Sequence, residues 1–175
     1  MSTPRTGAKD GMPDFFQFEI SRTLAGLRLD RALQQALSLD AGAAAELIEA
    51  GAVFLNGRRK LRAAHRVRAG DRIRAPKQLP PAPRVDLRDR ILHRDRHLLV
   101  VDKPAGVAAA PTPQGVRGTL PALLADQLGL PRAPTVVHRL DRDVSGVMAL
   151  ALSKTGAREL TAAFEGRRAG KWYRA

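Results

Sequence analysis

The sequence predicts an α+β fold in two domains, on three observations. Apolar residues recur at helical spacing within residues 28–49, and a short apolar run with a turn dipeptide follows them. Two further runs of strand length, 98–101 and 147–152, flank a segment of helical character. A proline-rich stretch, QLPPAP at 78–83, lies between the two halves and favours an extended spacer.

The first half contains two short helices and a strand-turn-strand unit. Residues 15–20 predict a strand, and leucines and alanines at helical spacing predict a helix over 28–37. Asp40 is a typical N-cap for a second helix that runs to Glu49, where Gly51 ends it. Residues 53–55 then enter a type I′ turn at Asn56-Gly57, and a last short strand is expected near Ile73.

The second half alternates strands and helices. The run at 98–101 reads as a central strand, and Lys-Pro-Ala-Gly at 103–106 reads as a turn. Thr119 is a suitable N-cap for a helix over 120–128, and a strand is expected at Val136. The run at 147–152 and a helix over 155–165 complete the pattern. The domain organisation predicted is a disordered tail (1–14), a first domain (15–77), a linker (78–85) and a second domain (86–175).

Charge and composition point to a polyanionic partner. The chain has 30 Lys and Arg against 17 Asp and Glu, a net charge of +13, which favours nucleic acid. Most of these cations are Arg, whose planar fork suits phosphate and bases; a GC-rich genome would also produce this bias. No apolar stretch has the length of a membrane span and no signal peptide is evident, so a cytoplasmic protein is expected. The chain lacks Cys and its four His show no metal-ligand spacing, so a metal site is not expected.

The sequence VVHRLDRDVSG at 136–146 places five charged or titratable side chains between two apolar runs. One interpretation is a solvated loop. The other is a functional loop, since charges beside buried strands must pair or take part in chemistry. The order HRLD, two residues, then Val-Ser-Gly resembles the signature loop of the RluA-type pseudouridine synthases. Six positions match, with Val144 where Thr is usual: His138, Arg139, Leu140, Asp141, Ser145 and Gly146.

Two further segments resemble the same family. The Lys-Pro-Ala-Gly turn at 103–106 matches its Lys-Pro-x-Gly sequence, and Lys-Trp-Tyr-Arg-Ala at 171–175 matches its Lys-x-Tyr-x-Ala strand. The resemblance implies a mixed, mainly antiparallel sheet of which only the first part is present. We therefore expect the strands at 98–101 and 147–152 to lack cover for their apolar faces. We also expect a fragment or truncated product that binds RNA without turnover.

The resemblance implies an RNA pseudouridine synthase that needs no cofactor. Asp141 would act at C1′ of a uridine flipped out of the RNA, because departure of the base leaves positive charge there. Arg139 would fill the space that the base leaves, and Tyr173 would pack on the uracil. Lys103 and His138 are assigned as further RNA contacts, with a structural role favoured for His138.

Residues 15–77 resemble the S4 RNA-binding fold, on GAVFLNGRRK and AGDRIRA. The basic run between Asn56 and Lys77 would contact phosphates. A solvated hairpin is the usual explanation of a charge run, but the resemblance favours RNA. The start of the second helix departs from the family, because Asp40, Ala41 and Gly42 stand where a basic or hydroxyl residue is usual. The RNA contacts predicted in this domain are Arg58, Arg59, Lys60, Arg62 and Arg66.

Three functions are compared. The first is an RNA pseudouridine synthase that acts on structured RNA, with ribosomal RNA favoured over transfer RNA, and that is a monomer when complete. The second is a non-catalytic S4-type RNA-binding protein. The third, a DNA-binding regulator, is disfavoured because no helix carries a set of base-reading side chains.

Overall fold

The computed structural model describes residues 14–79 and 81–174, so the predicted tail lies outside it except for Asp14. The described chain is an α+β fold with two four-stranded sheets, as predicted, and every strand pair in both sheets is antiparallel. It divides into two compact units. The first contains the described residues up to Pro81 together with Thr112–Arg117, and the second begins at Ala82. Within the described residues no helix is long and apolar enough to cross a membrane.

The first unit packs two helices against a sheet in the order β1-β4-β2-β3. Leu29, Ala32 and Leu33 are fully buried, which explains the helical periodicity of the sequence. Its elements are β1 Phe15–Glu19, α1 Leu29–Leu37, α2 Ala41–Glu49, β2 Val53–Leu55, β3 Arg58–Lys60 and β4 Arg72–Pro76.

Two local signals in this unit act as predicted. The Asp40 carboxylate caps α2 by accepting a hydrogen bond from the backbone N–H of Ala43 at 2.8 Å. Asn56 and Gly57, between β2 and β3, have φ values of 50° and 74°. Positive φ at both central residues is what a type I′ turn requires.

Residues Thr112–Arg117, here called the strap, belong to the first unit although the sequence analysis placed them in the second domain. The backbone N–H of Val116 donates to the carbonyl of Ala50 at 2.7 Å. Gly115 lies so close that a Cβ atom there would be 2.5 Å from the same carbonyl oxygen. A domain boundary drawn along the sequence therefore misses these six residues.

The second unit is built on a sheet in the order β5-β6-β8-β7. Its strands β6 and β8 pair over six residues, from Leu98 with Ala151 to Lys103 with Gly146. A short 3-10 turn at Arg88–Arg90 precedes the sheet. The elements are β5 Ile91–Arg94, β6 Leu98–Lys103, α3 Leu120–Gln127, β7 Thr135–Val136, β8 Gly146–Ala151 and α4 Lys154–Glu165.

One apolar face of β6 and β8 is covered, so the expectation that these strands lack cover was wrong for that face. Leu99, Val101, Met148 and Leu150 are each 0% exposed. They form one core with residues before β5, after β6 and from α3. Alternate side chains of a strand point to opposite faces, and it is the opposite face of β8 that leaves Val147 61% exposed.

The segment 171–175, whose sequence resembles the family's Lys-x-Tyr-x-Ala strand, does not form a strand in its described part. Residues 171–174 have no regular secondary structure, and Trp172 and Tyr173 are 97% and 70% exposed. A strand forms only where another strand accepts its hydrogen bonds. Within the described residues, 171–174 pair with no strand.

Candidate active site and nucleic-acid interface

The loop from Val137 to Ser145 connects β7 to β8, and the ring of His138 determines where β7 ends. The last pair of the β7–β8 ladder joins Val136 to Leu150. One residue earlier on β8, the backbone N–H of Ala149 donates to Nε2 of His138 at 3.0 Å instead of to a strand carbonyl. The imidazole thus takes the place of the next backbone acceptor and turns the chain out of the sheet.

The His138 ring also packs on Phe164 of α4, with 4.3 Å between ring centroids. Lys171 contacts the same phenyl ring, with its Nζ 5.2 Å from the centroid. Burial, and secondarily the charge of Lys171, lower the pKa of His138. A neutral imidazole that accepts from the backbone has a structural role, which is the role favoured for His138 from the sequence. Its assignment as an RNA contact stays a prediction.

Lys103, at the end of β6, ties this loop to the turn that follows the strand. Its side chain is 0% exposed, and Nζ donates to the carbonyls of Pro104 (2.9 Å), Val107 (2.9 Å) and Arg142 (3.0 Å). Burial lowers the pKa of Lys103, and the charge of Asp143 opposes that shift. An ammonium group has three N–H donors and all three are used here. Lys103 is therefore not an RNA contact in this conformation, contrary to the sequence assignment.

Asp141 and Arg139 are both exposed on the loop. The backbone N–H of Val144 donates to the carbonyl of Asp141 at 3.2 Å and closes a turn over 141–144. Among the described residues, the Asp141 carboxylate forms no ion pair. The loop therefore presents a carboxylate to solvent from a turn that is held by its own backbone.

A cleft of about 490 Å³ lies beside this loop. His138, Leu140, Ser145 and Gly146 contribute to its lining, as do Phe164 of α4 and the segment that carries Tyr173. Asp141 itself does not line the cleft, but its neighbour Leu140 does. The arrangement combines apolar and aromatic walls with a hydroxyl and an adjacent carboxylate, which suits a flat, partly polar ring.

A second cleft, of about 460 Å³, lies on the first unit beside the β2–β3 hairpin. Asp71 is the acidic residue in its lining, and the Asp71 carboxylate already accepts two hydrogen bonds. Burial alone would raise the pKa of Asp71, but hydrogen bonds from the Arg68 backbone N–H and the Asn56 amide, each at 2.8 Å, hold it below its usual value. The cations that line the cleft are Arg58, Lys60, Arg66 and Arg68, with His65 beside them.

This cleft, here called the basic cleft, contains three of the five predicted RNA contacts of the domain. Arg68 and His65 were not singled out, although they lie in the same basic run. Arg62 is exposed but is not among the lining residues. Arg58, Lys60 and Arg66 are therefore placed together, and a cation excess around one concave surface suits phosphate groups.

Arg59 does not line the basic cleft and makes contacts within the first unit. Its guanidinium lies over the ring of Phe54 at 4.7 Å, and Nη2 donates to the strap carbonyl of Thr112 at 2.6 Å. Burial lowers the pKa of Arg59. Alternation along β3 explains the difference, because Arg58 and Lys60 share one face of the strand and Arg59 takes the other.

Comparison with known families agrees with both resemblances. The RNA pseudouridylate synthase family model matches residues 97–175, and the S4 domain model matches residues 27–73. The first match contains the whole loop from His138 to Gly146, and the second contains the basic cleft as far as Asp71.

Curated relatives are named as pseudouridine synthases. An uncharacterized RNA pseudouridine synthase of Aquifex aeolicus is 30% identical over 74% of this chain and 44% of its own length. One of Mycobacterium bovis is 36% identical over 87% of this chain and 53% of its own. Ribosomal large subunit pseudouridine synthase C of Vibrio vulnificus is 31% identical, with 89% and 53% covered. The chain thus spans about half the length of these relatives.

Proposed function

Because the chain belongs to the RNA pseudouridine synthase family and carries an S4 domain, we propose that it serves to isomerise uridine to pseudouridine in structured RNA, with ribosomal RNA as the substrate. The choice of ribosomal RNA rests on relatives that are named as ribosomal large subunit enzymes. One observation carries the proposal. The exposed Asp141 lies on a loop beside a cleft, and Tyr173 contributes to the lining of that cleft.

The reaction needs one carboxylate and a site that holds the uracil after its bond to the ribose has broken. The bond between N1 of uracil and C1′ of ribose breaks, and C1′ becomes electron-poor. An ionised carboxylate next to C1′ stabilises or traps this carbon, as in retaining glycosidases. The base then turns within its site and C5 bonds to C1′, which displaces the carboxylate if it has bonded there. The C5 proton moves to solvent and N1 takes up a proton. Substrate and product contain the same atoms, so no redox partner or group donor is required.

Arg139 and Tyr173 have supporting roles in this proposal. A uridine inside a helix must be flipped out before Asp141 can reach it, which costs stacking and pairing. The exposed guanidinium of Arg139 stacks and donates hydrogen bonds, so it replaces the missing base in the RNA. Tyr173 packs against the flipped uracil in the cleft and assists removal of the C5 proton.

The basic cleft holds the RNA substrate. Its cations carry positive charge on one concave surface of the first unit, and no described carboxylate forms an ion pair with Arg58, Lys60 or Arg68. Phosphate contacts of this kind position RNA without reading its sequence. The target uridine is then selected at the second unit.

The test compares pseudouridine maps of ribosomal RNA from cells with and without the gene. We expect one or more positions to lose the modification in the deletion, and the wild-type gene to restore them. The Asp141→Asn gene, which keeps the shape of the side chain but not its charge, should not restore them. Maps that are unchanged by the deletion would contradict the proposed activity.

A second candidate is RNA binding without catalysis. It is favoured by the basic cleft, which contains no residue of the Asp141 loop. In that case the purified chain binds ribosomal RNA while the maps stay unchanged. Restoration by the wild-type gene together with failure of Asp141→Asn would exclude this candidate.

A further inference from the structure

A third cleft, of about 690 Å³, lies over the sheet of the first unit, and we call it the sheet cleft. Its volume is within the range of sites that bind small ligands. It shares no lining residue with the basic cleft. The side chains and glycine that characterise its lining are Gln17, Glu19, Phe54, Gly57, Arg72 and Arg74.

The sheet cleft lies on the face of the sheet that is turned away from the core. Ile73 of β4 is buried in the core together with residues of both helices. Side chains alternate along a strand, so Arg72 and Arg74 lie on the opposite face. Arg74 lies opposite Gln17 of β1 and also opposite Phe54 of β2. Side chains from three neighbouring strands therefore meet on this face.

Glu19 and Arg72 lie opposite each other in the β1–β4 ladder, and both are exposed. Opposite charges at facing positions of an antiparallel pair commonly interact and stabilise the sheet. Within the part of the chain that the structure describes, however, neither residue forms an ion pair. A carboxylate acceptor and a guanidinium donor thus lie side by side in the sheet cleft, and both are available to a ligand.

Stacking holds the other large side chains of this face in place. The guanidinium of Arg74 lies over the ring of Phe15, 4.0 Å from its centroid. Phe54 is half-buried, and the Arg59 guanidinium packs on its ring at 4.7 Å. The Phe54 ring therefore provides a fixed aromatic wall. Aromatic rings in positively charged clefts are typical of sites for unpaired bases, because every base has a π-face.

The sheet cleft adjoins the basic cleft at the β2–β3 turn. Gly57 lines the sheet cleft and the preceding residue, Asn56, lines the basic cleft; Arg72 and Asp71 are divided in the same way. The Asn56 side chain fastens this junction, since it accepts from the backbone N–H of Arg72 and donates to the Asp71 carboxylate, each at 2.8 Å. An RNA strand whose phosphates lie in the basic cleft can therefore place an adjacent base in the sheet cleft by crossing the turn.

We propose that the sheet cleft binds the base of one unpaired guanosine in an RNA strand that continues from the basic cleft. Guanine presents N–H donors at N1 and N2 to the Glu19 carboxylate, and it presents the acceptors O6 and N7 to the Arg72 guanidinium. Adenine has no N–H at N1, and uracil has a single N–H donor. The inference rests on the RNA binding of the proposed function and is independent of the reaction at Asp141.

The test measures the affinity of the full chain for short oligouridines that carry one central guanosine, adenosine or inosine. We expect the guanosine oligonucleotide to bind about tenfold more tightly than the adenosine one. Inosine should lie between them, because it keeps N1–H and O6 but lacks the N2 amino group. Equal affinities for guanosine and adenosine would overturn the proposal and leave phosphate binding in the basic cleft intact.

Glu19→Gln distinguishes base recognition from simple repulsion between the carboxylate and RNA. If Glu19 only repels phosphates, its neutralisation raises the affinity for every oligonucleotide by the same factor, and an unchanged guanosine preference would overturn the proposal. If Glu19 reads guanine, the preference over adenosine falls toward equality, because the glutamine amide has one acceptor oxygen instead of two. Glu49→Gln is the matched control, since Glu49 is an exposed carboxylate of α2 that lines neither cleft. This variant should keep the wild-type preference.

Amide NMR spectra of the full chain locate the bound base and show that each variant is folded. The guanosine oligonucleotide should shift the signals of Gly57 and Ile73, whereas plain oligouridine should shift only signals of the basic cleft, such as Arg66 and Arg68. A guanosine preference without shifts at Gly57 and Ile73 would place the base elsewhere and overturn the proposal. Failure to bind any oligonucleotide at low salt would overturn it together with RNA binding by the first unit, whereas the pseudouridine maps decide the catalytic function separately.

Discussion

The imidazole Nε2 of His138 accepts a hydrogen bond from the backbone N–H of Ala149 at 3.0 Å, at the point where strand β7 stops. Only the neutral ring can accept this bond at Nε2, because both ring nitrogens of the imidazolium are donors. The pKa of His138 is accordingly lowered, by burial first and by Lys171 second.

This relationship predicts a pH dependence of stability. In the unfolded chain His138 titrates near its ordinary pKa of about 6.5, and in the folded chain below that value. The unfolded state therefore binds more protons in this window, so stability is fully present above pH 6.5 and falls as the pH drops toward the folded pKa. Urea midpoints measured from pH 7.5 to 5 should show this fall. His138→Phe removes the titrating group, and a fall of the same size in that variant would contradict the prediction.

The basic cleft predicts that RNA affinity of the full chain drops steeply with salt. Each phosphate contact with structured RNA contributes roughly −0.7 to −0.9 to the slope of log K against log salt. Arg58→Gln combined with Lys60→Gln should therefore reduce the slope by about 1.5. The slope is measured by filter binding at salt concentrations from low to physiological.

Arg59→Gln is the control for each single variant, Arg58→Gln or Lys60→Gln, since it also removes one positive charge from the same strand. Because Arg59 is engaged with Phe54 and Thr112, its loss should leave the salt slope close to wild type. An equal reduction in slope for Arg59→Gln would show that phosphate binding is not confined to the basic cleft.

The close packing of the strap predicts that Gly115→Ala causes an unusually large loss in the free energy of unfolding. Gly115 has a φ of +137°, and a Cβ atom would lie 2.5 Å from the carbonyl oxygen of Ala50. Gly57→Ala, at φ +74° in open space, measures the backbone strain alone, about 1–2 kcal/mol. Urea unfolding should give a larger loss for Gly115→Ala. Equal losses would mean that the strap moves away from Ala50 at no cost.

Asp141→Asn should leave the stability of the folded protein unchanged and abolish the proposed isomerisation of uridine. The side chain is exposed and forms no ion pair with a described residue, so the free energy of unfolding should stay within about 0.5 kcal/mol of wild type. RNA affinity should also be retained. A marked loss of stability or of RNA binding would mean that Asp141 has a structural role.

The sequence by itself determined the α+β class, the helices and most strands, because these depend on signals that act over a few residues. The capping carboxylate of Asp40, the turn at Asn56-Gly57 and the apolar spacing of α1 each work through neighbours along the chain. The loop motif around Asp141 was visible for the same reason, since its residues are consecutive.

Tertiary structure alone decided which cations bond to distant backbone carbonyls within the protein. Lys103 and Arg59 look like any exposed basic residue in the sequence, yet one clamps a carbonyl 39 residues away and the other bonds to a strap residue 53 positions along the chain. These contacts form only when distant segments of the chain pack together, so the local sequence does not reveal them. The contacts of the strap with Ala50 likewise join residues that are far apart in the sequence, so they too depend on the tertiary structure.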